Sequence, residues 1–118
     1  ELGPLRVFFG IESSSELGLK SIGRRQTIEQ SEKALDVTRE LGISAQYTMM
    51  MFHPDATPGT VRSDISFMRR HNDHSLNFCR TEIYAGTPLL FRMQQEGRAR
   101  GDQAEERGVR LALICGSK

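Results

Sequence analysis

The chain has 118 residues, which is the length of one small domain. Its charged content of 26% suits a globular protein in water, and no apolar run approaches the length of a membrane span. A formal net charge of +1 gives no electrostatic basis for binding nucleic acid or an anionic membrane, so neither is an expected partner.

The first predicted unit is a strand followed by two helices. Residues Arg6–Ile11 form a short aromatic and β-branched run, which is typical of a buried strand. Apolar residues at helical spacing predict a short helix within Ser15–Ile22. Thr27 opens a capping-box pattern, so a longer helix is predicted over Ile28–Leu41.

Two further units repeat the order of strand and helix. A strand is predicted over Ser44–Phe52, and its last four residues look buried on both faces, as in a parallel sheet. Thr60 is the predicted cap of a helix that ends near Arg70. A third strand is predicted over Leu76–Tyr84, and a third helix over Pro88–Gly97.

This repeated order predicts an α/β fold with parallel strands and right-handed connections. Residues 1–102 hold all three units and are the predicted domain, and residues 103–118 are a predicted C-terminal helix or tail. Functional residues of such folds lie after the carboxyl ends of the strands. The three strand-to-helix loops are therefore the places to search for a site.

Three stretches occur in the order FFGIESSSELGLKSIGRRQTIEQ, RELGISAQYTMMMFHPDAT and CRTEIYAGTPL. Together they resemble strands four to six of the radical S-adenosylmethionine (radical SAM) barrel, in the group whose members often carry a cobalamin-binding domain upstream. The resemblance implies the second half of a TIM-like partial (β/α) barrel. The chain departs from the family pattern at Ser14 and Phe52, which stand where the family has glycine.

The resemblance also implies the cofactors of the whole enzyme: S-adenosylmethionine and a 4Fe–4S cluster, with cobalamin as a further candidate. The cluster cleaves S-adenosylmethionine reductively and yields a 5′-deoxyadenosyl radical. Its CxxxCxxC loop belongs to the missing N-terminal half of the barrel, and Cys79 and Cys115 do not supply that spacing. We therefore expect no metal ligands in this chain, and we expect the chain alone to be inactive.

Four residues are candidates for contact with the cofactor. By resemblance, Glu12 grips the ribose or the methionine end, and Arg24 faces the methionine carboxylate; both bonds would be charge-assisted. Ser15 can donate to the same carboxylate, and His53 follows the carboxyl end of a strand. Structural roles stay open, since Glu12 can pair with Arg24 or Arg25 and Ser15 can cap the next turn.

Three residues of the third strand are candidates for the substrate side. Alternation along a strand places Asn77 and Cys79 on one face, and Glu82 follows them. They contact substrate if that face lines the barrel. Ordinary packing inside the barrel is the alternative.

The leading hypothesis is a fragment of a radical SAM enzyme that contacts S-adenosylmethionine and substrate. Its expected partners are the small-molecule cofactor, the missing N-terminal half and a second copy in a homodimer. The alternative is a non-enzymatic half-barrel that self-associates or binds a partner. A hydrolase or transferase of another parallel α/β class lacks support, because no G-x-S-x-G, Walker A or GxGxxG motif is present. The widely spaced cysteines and the absence of a recognisable signal peptide predict a reduced, cytoplasmic setting.

Overall fold

The computed structural model describes residues 6–100 and 113–114. In chain order the elements are β1 (Arg6–Glu12), α1 (Glu16–Ser21), α2 (Ile28–Glu40), β2 (Ser44–Met51), α3 (Pro58–Arg70), β3 (Ser75–Arg80), α4 (Pro88–Gln95), β4 (Ala99–Arg100) and β5 (Leu113–Ile114). The chain divides into two compact units, Glu1–Thr81 and Glu82–Lys118. No helix among the described residues is long and apolar enough to cross a membrane.

The first unit is built on a three-stranded parallel sheet in the order β1-β2-β3. Phe9 lies opposite Tyr47, and Tyr47 lies opposite Leu76, so the three strands run in register through the middle of the sheet. Helix α2 connects the first two strands, and helix α3 connects the second and third. The predicted α/β fold with three parallel strands in chain order is confirmed, and it matches a partial (β/α) barrel.

Both long helices cover the same face of this sheet. Leu35 of α2 and Phe67 of α3 are fully buried in one cluster with Tyr47 and Met49 of β2. The rings of Tyr47 and Phe67 meet edge to face, with their centroids 6.0 Å apart, a favourable geometry for two aromatic rings. The core of the first unit therefore lies between the sheet and this single helical layer.

Helices α2 and α3 each begin after a threonine whose side chain accepts a hydrogen bond from a backbone amide of the first helical turn. Thr27 and Gln30 form the predicted capping box of α2. Helix α3 starts earlier than predicted, because Thr57 accepts from the amide of Thr60 and Pro58 occupies the first helical position. Thr60 is therefore not the cap; it closes the capping box that Thr57 opens.

The opposite face of the sheet is not covered by any helix of the first unit, and we call it the inner face. It is formed by the residues that alternate with the buried ones: Phe8, Gly10, Gln46, Thr48, Met50, Asn77 and Cys79. Met50 is half-buried and Phe52 is 61% exposed, so the prediction that residues 49–52 are buried on both faces is wrong. One helical layer buries alternate residues only, as in the observed pattern of β2.

Strand β3 is shorter than predicted and ends at Arg80 instead of Tyr84. Its partner strand β2 ends at Met51, and Phe52 then adopts a left-handed backbone with φ of 58°. The amide and hydroxyl of Thr81 both donate to the Met51 carbonyl, which closes the pairing. In the part of the chain that the structure describes, the pairing of β2 with β3 ends at Met51 and Arg80.

The second unit has its own small core. Leu90 and Met93 of α4 pack with Ile83 and Ala99. Helix α4 starts at Pro88, as predicted, and ends at Gln95. Most of residues 103–118, the predicted C-terminal helix or tail, lies outside the described residues. Within that range, Leu113–Ile114 pairs as an antiparallel strand with Ala99–Arg100.

Candidate cofactor site

Glu12 and Arg24 form an ion pair at the carboxyl end of β1. Arg24 Nη2 donates to Glu12 Oε1 at 3.0 Å. The Glu12 side chain is only 9% exposed, whereas the Arg24 side chain is 48% exposed. The structure thus brings together the two principal residues of the predicted cofactor site, and it also shows the pairing that was the structural alternative for Glu12.

The ion pair lies over Gly10 on the inner face. A Cβ atom at Gly10 would stand 2.7 Å from Glu12 Oε1 and 3.6 Å from Arg24 Nη2. Gly10 lies opposite Thr48. Thr48 alternates along β2 with the buried Tyr47, so its side chain points away from the helices. Glycine leaves the space in which the glutamate carboxylate can fold back over the strand.

An irregularity in β1 directs Glu12 to this position. The register shifts between Gly10 and Glu12, so Ile11 enters the helical core while Glu12 adopts a left-handed φ of 72°. Gln26 Nε2 donates to the carbonyls of Gly10 at 3.0 Å and Ile11 at 2.6 Å. Gln26 is not among the candidates predicted from the sequence, where its only signal is its place just beyond Arg24.

The serines after Glu12 have structural partners. Ser15 is the N-cap of α1 and accepts from the amide of Gly18 at 3.0 Å. Ser13 and Ser14 are buried and bond to Asp64 of α3, a residue that the sequence analysis did not single out. The capping role left open for Ser15 is therefore the one seen here, and its contact with a cofactor stays a prediction.

His53 lies in the loop after β2 and is almost fully buried. The amide of Ala56 donates to the His53 carbonyl at 2.8 Å, which forms a tight turn at this point. The loop stands at the carboxyl end of the sheet, as predicted. The imidazole is buried in this structure, and its contact with a cofactor stays a prediction.

Asn77 shares a row of the inner face with the ion pair. Gly10 lies opposite Thr48, and Thr48 lies opposite Asn77, so the three residues cross the sheet side by side. Neighbouring strands are about 4.8 Å apart, which places the Asn77 backbone about 10 Å from that of Gly10. Cys79 lies one step further along the same face, opposite Met50, and both β3 side chains are exposed.

Glu82 belongs to the second unit. Its side chain is exposed and accepts from the hydroxyl of Tyr84 at 2.7 Å. Its predicted role on the substrate side stays a prediction. In the described part of the chain, His, Cys, Asp and Glu nowhere form a group of three or more that could hold a metal ion.

A second polar cluster lies between α2 and the connector from α3 to β3. Arg39 Nε donates to Asp73 Oδ2 at 2.6 Å, and this bond lowers the pKa of Asp73 to about 2. His71 is buried against the Phe67 ring, and Arg39 Nη2 lies 3.4 Å from its Nδ1. Burial first, and Arg39 second, lower the pKa of His71. The cluster adjoins the amino end of β3, so it is distant in the fold from the carboxyl-end loops.

Comparison with known proteins supports the fold. No family model matches the chain. It is 32% identical over 83 residues to an uncharacterized methyltransferase of Pyrococcus horikoshii, and the match covers 70% of this chain and 18% of that protein. Archaeal Elp3 from Methanocaldococcus infernus superposes with a TM-score of 0.67 at 22% identity, over 81% of this chain and 23% of the Elp3 chain.

The chain therefore spans less than a quarter of either protein. At 22% identity the likeness to Elp3 is evidence for the fold alone. Elp3 has the radical SAM fold. The three parallel strands, their two crossover helices and this likeness together show that the chain has the fold of part of a (β/α) barrel, which it shares with Elp3.

Proposed function

We propose that this chain is the part of a radical SAM enzyme that holds the amino-acid end of S-adenosylmethionine and faces the substrate. The observation that carries the proposal is the Glu12–Arg24 ion pair, which lies over Gly10 on the inner face. The likeness to Elp3 supports the class of enzyme, and the name of the Pyrococcus relative suggests methyl transfer as the class of reaction.

The ion pair is chemically suited to a zwitterion. The methionine end of S-adenosylmethionine carries an ammonium and a carboxylate on one carbon atom. Arg24 gives one of its five N–H groups to Glu12, and its half-exposed guanidinium can offer others to a ligand carboxylate. Glu12 Oε2 can accept from an ammonium or a ribose hydroxyl. Two opposite charges held 3.0 Å apart thus complement both charges of the ligand.

The same face supplies groups for the substrate. Asn77 offers an amide donor and acceptor, and Cys79 offers a thiol; both are exposed on the inner face beside the Gly10 row. We place them on the substrate side, because they share the face that carries the ion pair but lie on the strand farthest from β1. Glu82 is a further candidate from the second unit.

The chain's own residues fit the organic cofactor and not the cluster. An iron–sulfur cluster needs cysteine thiolates grouped around it, and the described residues provide no such group. The ligands would come from the other half of the barrel, which we propose as the principal partner. When bound, the cluster supplies the electron for reductive cleavage. Cobalamin stays a candidate cofactor of the whole protein.

Calorimetric titration with S-adenosylmethionine tests the proposal, in cluster-loaded protein that carries this chain together with the N-terminal half. Glu12→Ala and Arg24→Ala should each weaken binding by about 2 kcal/mol, the scale of a hydrogen bond to a charged group. Arg25→Ala is the matched control, because Arg25 is exposed and neighbours Arg24. If both variants bind like the wild type and only melt at lower temperature, the ion pair is structural and the proposal fails.

The alternative is a module that associates through its uncovered surfaces. Strand β3 is exposed at all six positions, and Phe8 on β1 is 60% exposed. These surfaces favour a second copy or the missing half-barrel as partner. A dimer that shows no effect of Glu12 or Arg24 on cofactor binding would favour this alternative.

A further inference from the structure

We infer that Asp64 is a positioning residue that fixes the turn after β1 and thereby directs Glu12 towards Arg24. Asp64 lies on α3, 52 residues beyond Glu12, and does not itself reach the inner face. The link to S-adenosylmethionine rests on the proposed function. The positioning of Glu12 can be tested without any ligand.

One oxygen of Asp64 holds the turn. Asp64 Oδ1 accepts from the amide of Ser14 at 2.7 Å, from Ser14 Oγ at 3.0 Å and from Ser13 Oγ at 3.1 Å. Asp64 is 2% exposed, so these bonds are formed away from water. Hydrogen bonds to a buried charged acceptor are stronger than those between neutral groups, and losing the acceptor leaves buried donors unsatisfied.

Helix α1 confines the same turn from the other side. A Cβ atom at Gly18 would stand 2.1 Å from Ser13 Oγ and 2.7 Å from Ser13 Cβ. Gly18 therefore lets the helix approach Ser13 more closely than any other residue would allow. Ser13 is held between Gly18 and Asp64, which leaves its backbone little room to move.

The bonds to Asp64 and the close approach of Gly18 explain how Glu12 keeps an unfavourable backbone conformation. A left-handed conformation costs a non-glycine residue about 1–2 kcal/mol, and Glu12 has a φ of 72°. Gln26 holds the carbonyls before Glu12, and Asp64 holds Ser13 and Ser14 after it. Without the second anchor the turn can relax to an ordinary extended conformation, which would point the Glu12 side chain away from Gly10.

The test compares two substitutions of Asp64 by NMR of the 15N-labelled chain. Asp64→Asn keeps a carbonyl acceptor but removes the charge, and Asp64→Leu keeps a similar volume without any acceptor. Asp36→Asn is the matched control, since Asp36 is an exposed carboxylate on α2 that pairs with Arg39. The readouts are the HN–Hα coupling of Glu12, which reports its φ, and the amide proton of Ser14, which reports the bond to Asp64.

In Asp64→Leu we expect the Glu12 coupling to leave its wild-type value while the amide signals of β2 remain in place. In Asp64→Asn, which retains the acceptor, the Glu12 coupling should persist. Its Ser14 amide should move upfield and exchange about tenfold faster, because the acceptor is no longer charged. An unchanged Ser14 amide in Asp64→Asn overturns the inference, even if the leucine variant fails to fold.

Titration with S-adenosylmethionine, in the cluster-loaded protein with both barrel halves, separates this inference from the proposed function. We expect Asp64→Leu to weaken binding about 30-fold, as for Glu12→Ala, and Asp64→Asn to weaken it much less. If the leucine variant moves Glu12 without changing affinity, the positioning role stands and the proposed cofactor role of Glu12 fails. If Glu12→Ala weakens binding but Asp64→Leu neither moves Glu12 nor changes affinity, the positioning role is overturned and the proposed function stands.

Discussion

The carboxylate of Glu12 folds back over the backbone of Gly10, so that a Cβ atom added at Gly10 would lie only 2.7 Å from Glu12 Oε1. This relationship places a buried negative charge and its Arg24 partner on the inner face, opposite the face that α2 and α3 cover. It also explains why a glycine precedes the bulge in β1. A side chain at Gly10 and the observed position of the glutamate exclude one another.

Gly10→Ala should therefore displace the Glu12 carboxylate at little cost in stability. The crowded atom is the end of a flexible side chain, so the backbone need not move. We expect the free energy of S-adenosylmethionine binding to the whole protein to weaken by about 2 kcal/mol, as for Glu12→Ala. The free energy of unfolding should stay within about 1 kcal/mol of the wild-type value. The measurements are calorimetric titration and urea denaturation.

The matched control is Gly59→Ala in the first turn of α3, where the nearest atom to a new Cβ is Thr57 Oγ1 at 3.5 Å. It should leave affinity unchanged. Wild-type affinity in Gly10→Ala would show that the position of the Glu12 carboxylate has no part in binding.

Phe52→Gly should stabilise the protein relative to Phe52→Ala by about 1 kcal/mol, because glycine adopts a left-handed backbone without the steric penalty. Phe52 has a φ of 58° and is 61% exposed, so removing its ring loses little burial. The alanine variant removes the ring but keeps the strain. Urea denaturation of the two variants gives the difference. Equal stabilities would mean that the backbone relaxes when the ring is removed.

His71 should make stability depend on pH below its ordinary pKa of 6.5. Burial and Arg39 lower the pKa in the folded state, so the unfolded chain binds a proton at higher pH than the folded chain does. The contribution of neutral His71 is therefore complete above pH 6.5 and is lost as pH falls towards the folded-state pKa. Glu32, Asp36 and Arg70 also face the ring, and the two carboxylates oppose the shift.

The measurement is urea denaturation of wild type and His71→Asn at about pH 5, 6 and 7, the range in which a histidine titrates. The free energy of unfolding of the wild type should fall as the pH is lowered from about 7 to about 5. The free energy of unfolding of the variant should change less with pH. Identical slopes in the two proteins would assign the pH dependence to other groups.

The isolated chain should self-associate at micromolar concentration. Strand β3 lies at the edge of the sheet and is exposed at every position, and Phe78 on it is 63% exposed. An uncovered edge strand with an exposed aromatic ring favours pairing with another chain. Light scattering should show a dimer, and Phe78→Lys should shift it towards monomer. A stable monomer of the wild type would contradict this expectation.

The amino-acid sequence by itself determined the features that depend on neighbours a few residues apart. The capping box of Thr27 and Gln30 marks the start of α2, because its bonds join residues three positions apart. The short apolar runs mark β1 and β2, and their alternation with helices predicts a parallel sheet. Glu12 and Arg24 became candidates through the resemblance of their stretch to the radical SAM family, and the sequence left open whether they pair with each other or contact a cofactor.

Tertiary structure decided which way the site faces and what holds it. The bond from Ser14 to Asp64 spans 50 residues, and no local pattern marks an aspartate on a helix as the anchor of a distant turn. The left-handed backbone of Glu12 leads out of a strand only because contacts on both sides compensate for its cost. The exposure of Met50 and Phe52 depends on how many helical layers pack on the sheet. A run of apolar residues in the sequence does not distinguish a sheet covered on one face from a sheet covered on both.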